Sequence, residues 1–290
     1  MDRLAAPHAD RPAGPGLAEA LAGIARHLPD LRAEAGPPGP GAFTPAMLAG
    51  ADPLALQSLL DAEARIHPGL DRKAQAAFAI SRAARSLAHA LAGLLVLRGE
   101  VPRLTPDTVA FRAELYSWEH GGKAGQSVRH IVRIAPGQPL LAGTPAALQE
   151  AFHDALVAAM SPVVAALHRA AGLSPGALWR LVADMVCLSF LNVGEQAGDV
   201  LHAQAAALAI TRRPGSRLHN PVSGFQRITL PDPADPDRIL AERWFITRGG
   251  CCRWYTHPEG ETCAVCVLLT PERQQARLRE HLRRAHEATA

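Results

Sequence analysis

Arg72-Lys73-Ala74-Gln75-Ala76-Ala77-Phe78-Ala79-Ile80-Ser81-Arg82-Ala83-Ala84-Arg85-Ser86-Leu87-Ala88-His89-Ala90-Leu91-Ala92-Gly93-Leu94-Leu95-Val96-Leu97-Arg98 decides the class of the fold. Phe78, Leu87, Leu91, Leu94 and Leu95 recur along one helical face. Gly99 and Pro102 then stop the helix. A helix this long needs other helices to cover it, and the flanking chain supplies them.

Toward the N-terminus, residues from Pro53 to Arg65 are again helical in pattern. Gly36-Pro37-Pro38-Gly39-Pro40-Gly41 reads as loop, and Leu17, Leu21, Ile24 and Leu28 mark a short helix ending near Pro29. Residues 1–16 carry Pro7, Pro12, Gly14, Pro15 and Gly16 with no apolar period, and are expected to form a disordered lead-in.

Toward the C-terminus the period changes. Val109, Phe111, Ala113 and Leu115 alternate with polar residues, as do Val128, His130, Val132 and Ile134, around Gly121-Gly122. This reads as a small antiparallel sheet near 108–134. Thr144-Pro145 is an N-cap and first-turn pair opening a helix to Gly172, which Pro162 is expected to kink or break. Ser174-Pro175 opens a helical stretch to about Ile210, interrupted near Asn192 to Gly194. After Arg212-Arg213-Pro214-Gly215 the chain reads as irregular until Asp235-Pro236 opens a short helix. Thr270-Pro271 starts a closing helix with Leu278 and Leu282 on one face. The expected class is α+β, predominantly α-helical, with a small antiparallel sheet and a C-terminal four-cysteine segment.

With 290 residues the chain is large enough for a substantial core. Its 48% hydrophobic and 20% charged residues exclude a disordered polymer. Thirty Lys+Arg against 27 Asp+Glu leave a net charge of +3, too balanced for a dedicated nucleic-acid binder. Lys73 and Lys123 are the only lysines. The arginine bias, with abundant Ala, Gly and Pro, reads as a coding preference, so single arginines carry little weight. The start, Met1-Asp2-Arg3-Leu4-Ala5-Ala6-Pro7, lacks the pattern of a secretory signal. Charge-free segments such as Ala155 to Leu167 stop short of the roughly 20 apolar residues that cross a bilayer. The expected location is the cytoplasm, where clustered cysteines suggest metal binding before disulfides.

Four of the five cysteines lie in Arg248-Gly249-Gly250-Cys251-Cys252-Arg253-Trp254-Tyr255-Thr256-His257-Pro258-Glu259-Gly260-Glu261-Thr262-Cys263-Ala264-Val265-Cys266. The paired glycines permit a tight turn, and Pro258 with Gly260 suggests another that brings the two halves together. Four thiolates suit a closed zinc site. Adjacent side chains diverge in extended backbone, however, which makes Cys251 and Cys252 an awkward chelate for one small ion. A [2Fe-2S] rhomb, whose two irons each need two thiolates, tolerates divergence better. Geometry favours iron–sulfur and leaves zinc open.

The Cys-Cys-x10-Cys-x2-Cys arrangement resembles that of the siderophore-iron reductases of the FhuF type. Arg248 before the glycines, Trp254 and Tyr255 after the pair, and the motif's place near the end of a mostly helical chain share in the resemblance. The preceding 240 or so residues resemble that family only in layout. The resemblance implies a [2Fe-2S] cluster held by Cys251, Cys252, Cys263 and Cys266, and reduction of siderophore-bound Fe(III) inside the cell. It divides the chain into the lead-in (1–16), a mainly helical siderophore-binding domain (17–240) and a C-terminal [2Fe-2S] segment with its closing helix (241–290). Fe(III) is a hard ion that anionic oxygens hold far better than Fe(II), so one electron suffices for release.

The sequence has no Gly-x-Gly-x-x-Gly turn and no P-loop, so neither a nicotinamide cofactor nor ATP is indicated and electrons are expected from a ferredoxin or flavin reductase. The near-neutral charge favours a ferric hydroxamate, because a strongly anionic catecholate would call for a concentrated arginine cleft. Other readings are a zinc-stapled siderophore-binding protein without redox activity and a one-electron carrier, the latter needing far less chain.

Cys187, within Met185-Val186-Cys187-Leu188-Ser189-Phe190, reads as a small buried hydrophobe. His257 reads as a loop histidine rather than a Rieske-type ligand. Arg253, Trp254 and Tyr255 either shield the sulfurs or touch substrate. Trp118-Glu119-His120-Gly121-Gly122 reads as a hairpin turn before a pocket wall, and Asn192 to Glu195 as a kink or a site. Arg273, Arg277, Arg279, Arg283 and Arg284 alternate with Glu272, Glu280 and Glu287 as a solvated face, and secondarily as a peripheral inner-membrane or donor-docking patch.

Overall fold

The computed structural model describes residues 16–120 and 123–288. Residues 1–15 of the expected lead-in and the Gly121–Gly122 pair lie outside the described residues. Helix α1 (Leu17–Ala25) is followed by strand β1 (Ala33–Ala35), helices α2 (Pro45–Ala49) and α3 (Pro53–Ile66), and the long α4 (Arg72–Arg98). Asp71 caps α4 by accepting from the Ala74 N–H at 2.6 Å, and Gly99 closes it in the left-handed region. The helix is buried on more than the single face its leucines predict: every residue from Leu87 to Leu95 is buried. Alanines and Gly93 let α1, α5 (Pro145–Ala171) and α6 (Pro175–Ala197) pack against different sides of it.

Between α4 and α5 run β2 (Glu100–Pro102), β3 (Val109–His120), β4 (Lys123–Ile134) and β5 (Leu140–Ala142). Strands β3 and β4 form the expected antiparallel hairpin, from Val109 opposite Ile134 to His120 opposite Lys123. The sheet is not purely antiparallel, because β1 adds a parallel strand to β4, pairing Ala33 with Val132. Three residues are too few to show a period, which is why β1 is invisible in the sequence. The same holds for β2 and β5, which pair as a separate two-stranded ladder.

Pro162 does not break α5, which runs unbroken to Ala171, ten of its side chains buried in the core. Burial along the whole helix outweighs the one hydrogen bond the proline forfeits. The interruption expected at Asn192–Gly194 falls instead at Gly198 and Asp199, where Gly198 is left-handed and Asp199 caps α7 (Val200–Thr211). Gly194 lies inside α6 against Ala203 of α7.

The expected irregular stretch and the short helix at Asp235-Pro236 are corrected to a second antiparallel hairpin, β6 (Gly224–Pro231) with β7 (Ile239–Thr247). Asp232 accepts from the Ala234 N–H at 2.8 Å and Asp235 from the Asp237 N–H at 3.3 Å. These are side-chain-braced turns, and the same Asp-Pro chemistry begins a helix elsewhere. Helix α8 (Pro271–Glu287) lays Leu278 and Leu282 against Ile228 and Leu230 of this hairpin. The hairpin therefore spans the boundary expected at residue 240. Overall the chain is α+β, with eight α-helices among the described residues and small antiparallel and mixed sheets.

Helices α4, α5 and α6 are each long and apolar enough, by length and composition, to cross a membrane. Charge-free length alone misses this, since each window tolerates a few charges. In the fold the three windows are 67%, 50% and 72% buried against the rest of the chain.

Candidate functional site

The cysteine segment leaves β7 and is fastened to α6 by one carboxylate. Asp184, wholly buried on α6, accepts from the Gly249 N–H at 2.8 Å, the Gly250 N–H at 2.9 Å and the Ser223 hydroxyl. Arg248 pairs with it at 3.3 Å. Gly250 sits so close to α6 that a Cβ there would lie 2.8 Å from Leu181 Cδ2 and 2.9 Å from its backbone nitrogen. Close approach, rather than a special backbone angle, is what the glycine provides. At the far side of the loop a Cβ on Gly260 would fall 1.9 Å from the Trp254 carbonyl oxygen.

All four cysteines are free; Cys266 is buried and Cys251, Cys252 and Cys263 are half-buried. Arg253 is left-handed at φ 61°, and the backbone N–H groups of Arg253 and Trp254, which follow the pair, act to lower the pKa of Cys251 and Cys252. The Cys263 thiol hydrogen-bonds to Cys252, which, with the Trp254 N–H and Arg248, pushes Cys252 down to about 5. The same contact, with burial, pushes Cys263 up. Cys251 is pushed up by burial. The Cys-x-x-Cys half closes on itself, with the Cys266 N–H donating to the Cys263 carbonyl at 3.0 Å.

Among the described residues no group of three or more His, Cys, Asp or Glu side chains is arranged to hold a metal ion. What the loop offers an iron–sulfur cluster is therefore donor type alone: four free thiols with the Arg248 guanidinium beside them.

Trp254 stacks on His257 at 4.7 Å and 7°, and meets His67 at 4.9 Å and Phe78 at 5.9 Å edge-on. This aromatic cluster ties the loop to α3 and α4, whereas Tyr255 is 42% exposed. His257 Nε2 lies 3.2 Å from the Pro68 carbonyl while Nδ1 accepts from the Glu259 N–H at 3.1 Å, so both ring nitrogens are engaged. Arg253 pairs with Asp71, the α4 cap, at 2.8 Å. Cys187 is wholly buried and burial pushes its thiol up to about 12. Trp118 stands 40% exposed on β3. Of the α8 arginines, Arg283 and Arg284 pair with Glu280, and Arg277 bonds Thr262 in the cysteine segment.

Two cavities share Met185, the neighbour of Asp184, and only the first of them is lined by residues of the segment. One, of about 300 Å³, reaches Arg248 and Val265 and includes Asn192 and Glu195, two of the residues singled out at the expected break. The other, of about 470 Å³, opens between α4 and the β3–β4 hairpin. Phe78 lines it, placing its wall one ring contact from Trp254. Arg32, Arg82, Arg85, His89, Tyr116 and Arg129 also face it. Their convergence could not be read from single arginines scattered over 97 positions, although Arg82, Arg85 and His89 do share one face of α4 at helical spacing.

No family model matches the chain and no curated protein matches it.

Proposed function

We propose that this chain is a cytoplasmic, one-electron reductase of siderophore-bound ferric iron, with a [2Fe-2S] cluster held by Cys251, Cys252, Cys263 and Cys266. The observation that carries the reading is the juxtaposition of a four-thiol loop with a cationic pocket through the Trp254–Phe78 contact. When bound, such a cluster supplies one electron at a time. The chain's own residues do the rest. Asp184 and the glycines hold the loop rigid against α6, Trp254 covers one side of it, and the pocket arginines orient an oxygen-ligated chelate. A bare electron carrier has no use for such a pocket. Electrons are supplied by a ferredoxin or flavin reductase.

The test is anaerobic purification of the full chain, with iron, acid-labile sulfide and zinc analysis. Two irons and two sulfides per chain are expected, with a visible spectrum lost on Ser substitution at any of the four cysteines and kept in Cys187→Ser. The reduced protein is then mixed with a ferric hydroxamate and a ferrous chelator under argon. Reoxidation matched by trapped Fe(II) is the expected result. Stoichiometric zinc without sulfide would replace the reading with the zinc-stapled binder, and a cluster inert to every ferric siderophore with the carrier.

A further inference from the structure

The pocket between α4 and the hairpin is more cationic than the chain's overall charge suggests. Four arginines line it, Arg32, Arg82, Arg85 and Arg129, against a single carboxylate, Asp30. Two of the four are balanced from behind, Arg82 by Glu63 at 2.6 Å and Arg129 by Glu114 at 2.6 Å. The first balance is incomplete, because burial pushes Glu63 up to about 7 and leaves it partly neutral near that pH. Arg32 bonds only the Pro29 and Leu31 carbonyls among the described residues.

Arg85 forms no ion pair among the described residues. Its Nη2 donates at 2.8 Å to the amide oxygen of Asn192, a neutral partner, once that amide is turned to face it. Burial lowers its pKa and the charge of Asp30 opposes this. A guanidinium stays charged in a protein, so a half-buried one with a neutral partner carries a desolvation cost that an incoming anion would offset. His89 adds a second sign: it is 5% exposed, lines the same pocket, and neither ring nitrogen has a hydrogen-bond partner among the described residues. Two aromatic rings also line it, with Arg129 over the Tyr116 ring at 4.9 Å and Arg82 over the Phe78 ring at 5.7 Å. The larger cavity of about 670 Å³ between α8 and the second hairpin shares no residue with the cysteine segment.

We propose that this pocket binds a multiply anionic, aromatic-oxygen chelate, a metal tris-catecholate, in preference to the neutral trihydroxamate that overall charge favours. Planar, forked guanidinium groups match anionic aryl oxygens, and the edges of the Tyr116 and Phe78 rings beside them suit an aromatic ligand. A neutral hydroxamate would leave Arg85 with only its neutral partner. As an assignment of substrate class the proposal rests on the reductase reading, but the binding it describes does not.

Gallium(III) complexes separate the two, since gallium keeps the ferric charge and shape and does not accept the electron. Titration of the purified full chain with gallium tris-catecholate and gallium trihydroxamate, followed by calorimetry, is expected to favour the catecholate at least about tenfold at low salt, with the gap closing as salt rises. Arg85→Gln and Arg129→Gln are each expected to weaken the catecholate about tenfold and leave the hydroxamate unchanged. Arg129 sits on the hairpin surface, so its variant keeps the test alive should Arg85→Gln fail to fold. Equal or weaker catecholate binding, or binding indifferent to both substitutions, would overturn the proposal. Arginine-dependent catecholate binding by protein lacking iron and sulfide would uphold the pocket while removing the reductase reading. A cluster that reduces ferric hydroxamate in protein blind to catecholate would do the reverse.

Discussion

Asp184 is the residue on which the candidate site hangs, and nothing in its sequence setting announces it. It stands alone in an apolar helical run, and its four partners lie 39 to 66 positions away. Asp184→Ala removes a buried acceptor from two backbone N–H groups, a hydroxyl and the half-buried Arg248 guanidinium. The expected loss is about 3–5 kcal/mol, with faster reaction of the cysteines toward a thiol reagent. Urea unfolding and thiol kinetics check both, and unchanged thiol rates would mean the loop is held elsewhere. The spacing of the cysteines is legible because it is local, while the cluster they would hold belongs to the proposed function. The pocket arginines are not legible, since an arginine-rich composition hides the few whose positions matter; only folding shows that Arg32, Arg82, Arg85 and Arg129 converge.

Among the elements, legibility followed the strength of the end signals. Thr144-Pro145, Ser174-Pro175 and Thr270-Pro271 mark the starts of α5, α6 and α8, each threonine or serine accepting from the N–H three residues on. Strands β6 and β7 carried no such punctuation, and the aspartates between them mimic a helix start. Helix α8 illustrates how little holds some elements in place: Leu278 and Leu282 are its only buried side chains, while its Arg–Glu pairs are exposed. Exposed pairs contribute little, so the leucines carry the docking. Leu282→Ala is expected to cost about 2–3 kcal/mol in the packing of α8 and to speed proteolysis within it. Glu280→Ala is expected to leave cleavage unchanged. Limited proteolysis followed by mass spectrometry compares the two, and equal protection in both variants would show that the helix docks by other means.

For the molecule as a whole, pH acts through groups the core keeps neutral. His130 is wholly buried, edge-on to Phe43 and Phe111, with no hydrogen-bond partner on either ring nitrogen among the described residues. Burial lowers it to about 3 and lowers His89 to about 4, both from 6.5. Below pH 6.5 the unfolded chain takes protons that the fold refuses, so stability falls as pH drops toward those values. Glu63 acts oppositely: held near 7, it contributes stability that is lost as pH rises from 4.5 through 7. His130→Phe isolates the acid limb, and is expected to reduce the stability lost between pH 7.5 and 5 by about 2 kcal/mol in urea titrations. An undiminished loss would mean His130 is charged in the fold. The attachment of the loop to α6 has a further consequence in time. The amide protons of Gly249 and Gly250 point at a carboxylate on a helix enclosed on nearly every side. Deuterium from solvent reaches them only when the segment lifts away, so their exchange rates are a clock for how often the cysteine loop opens.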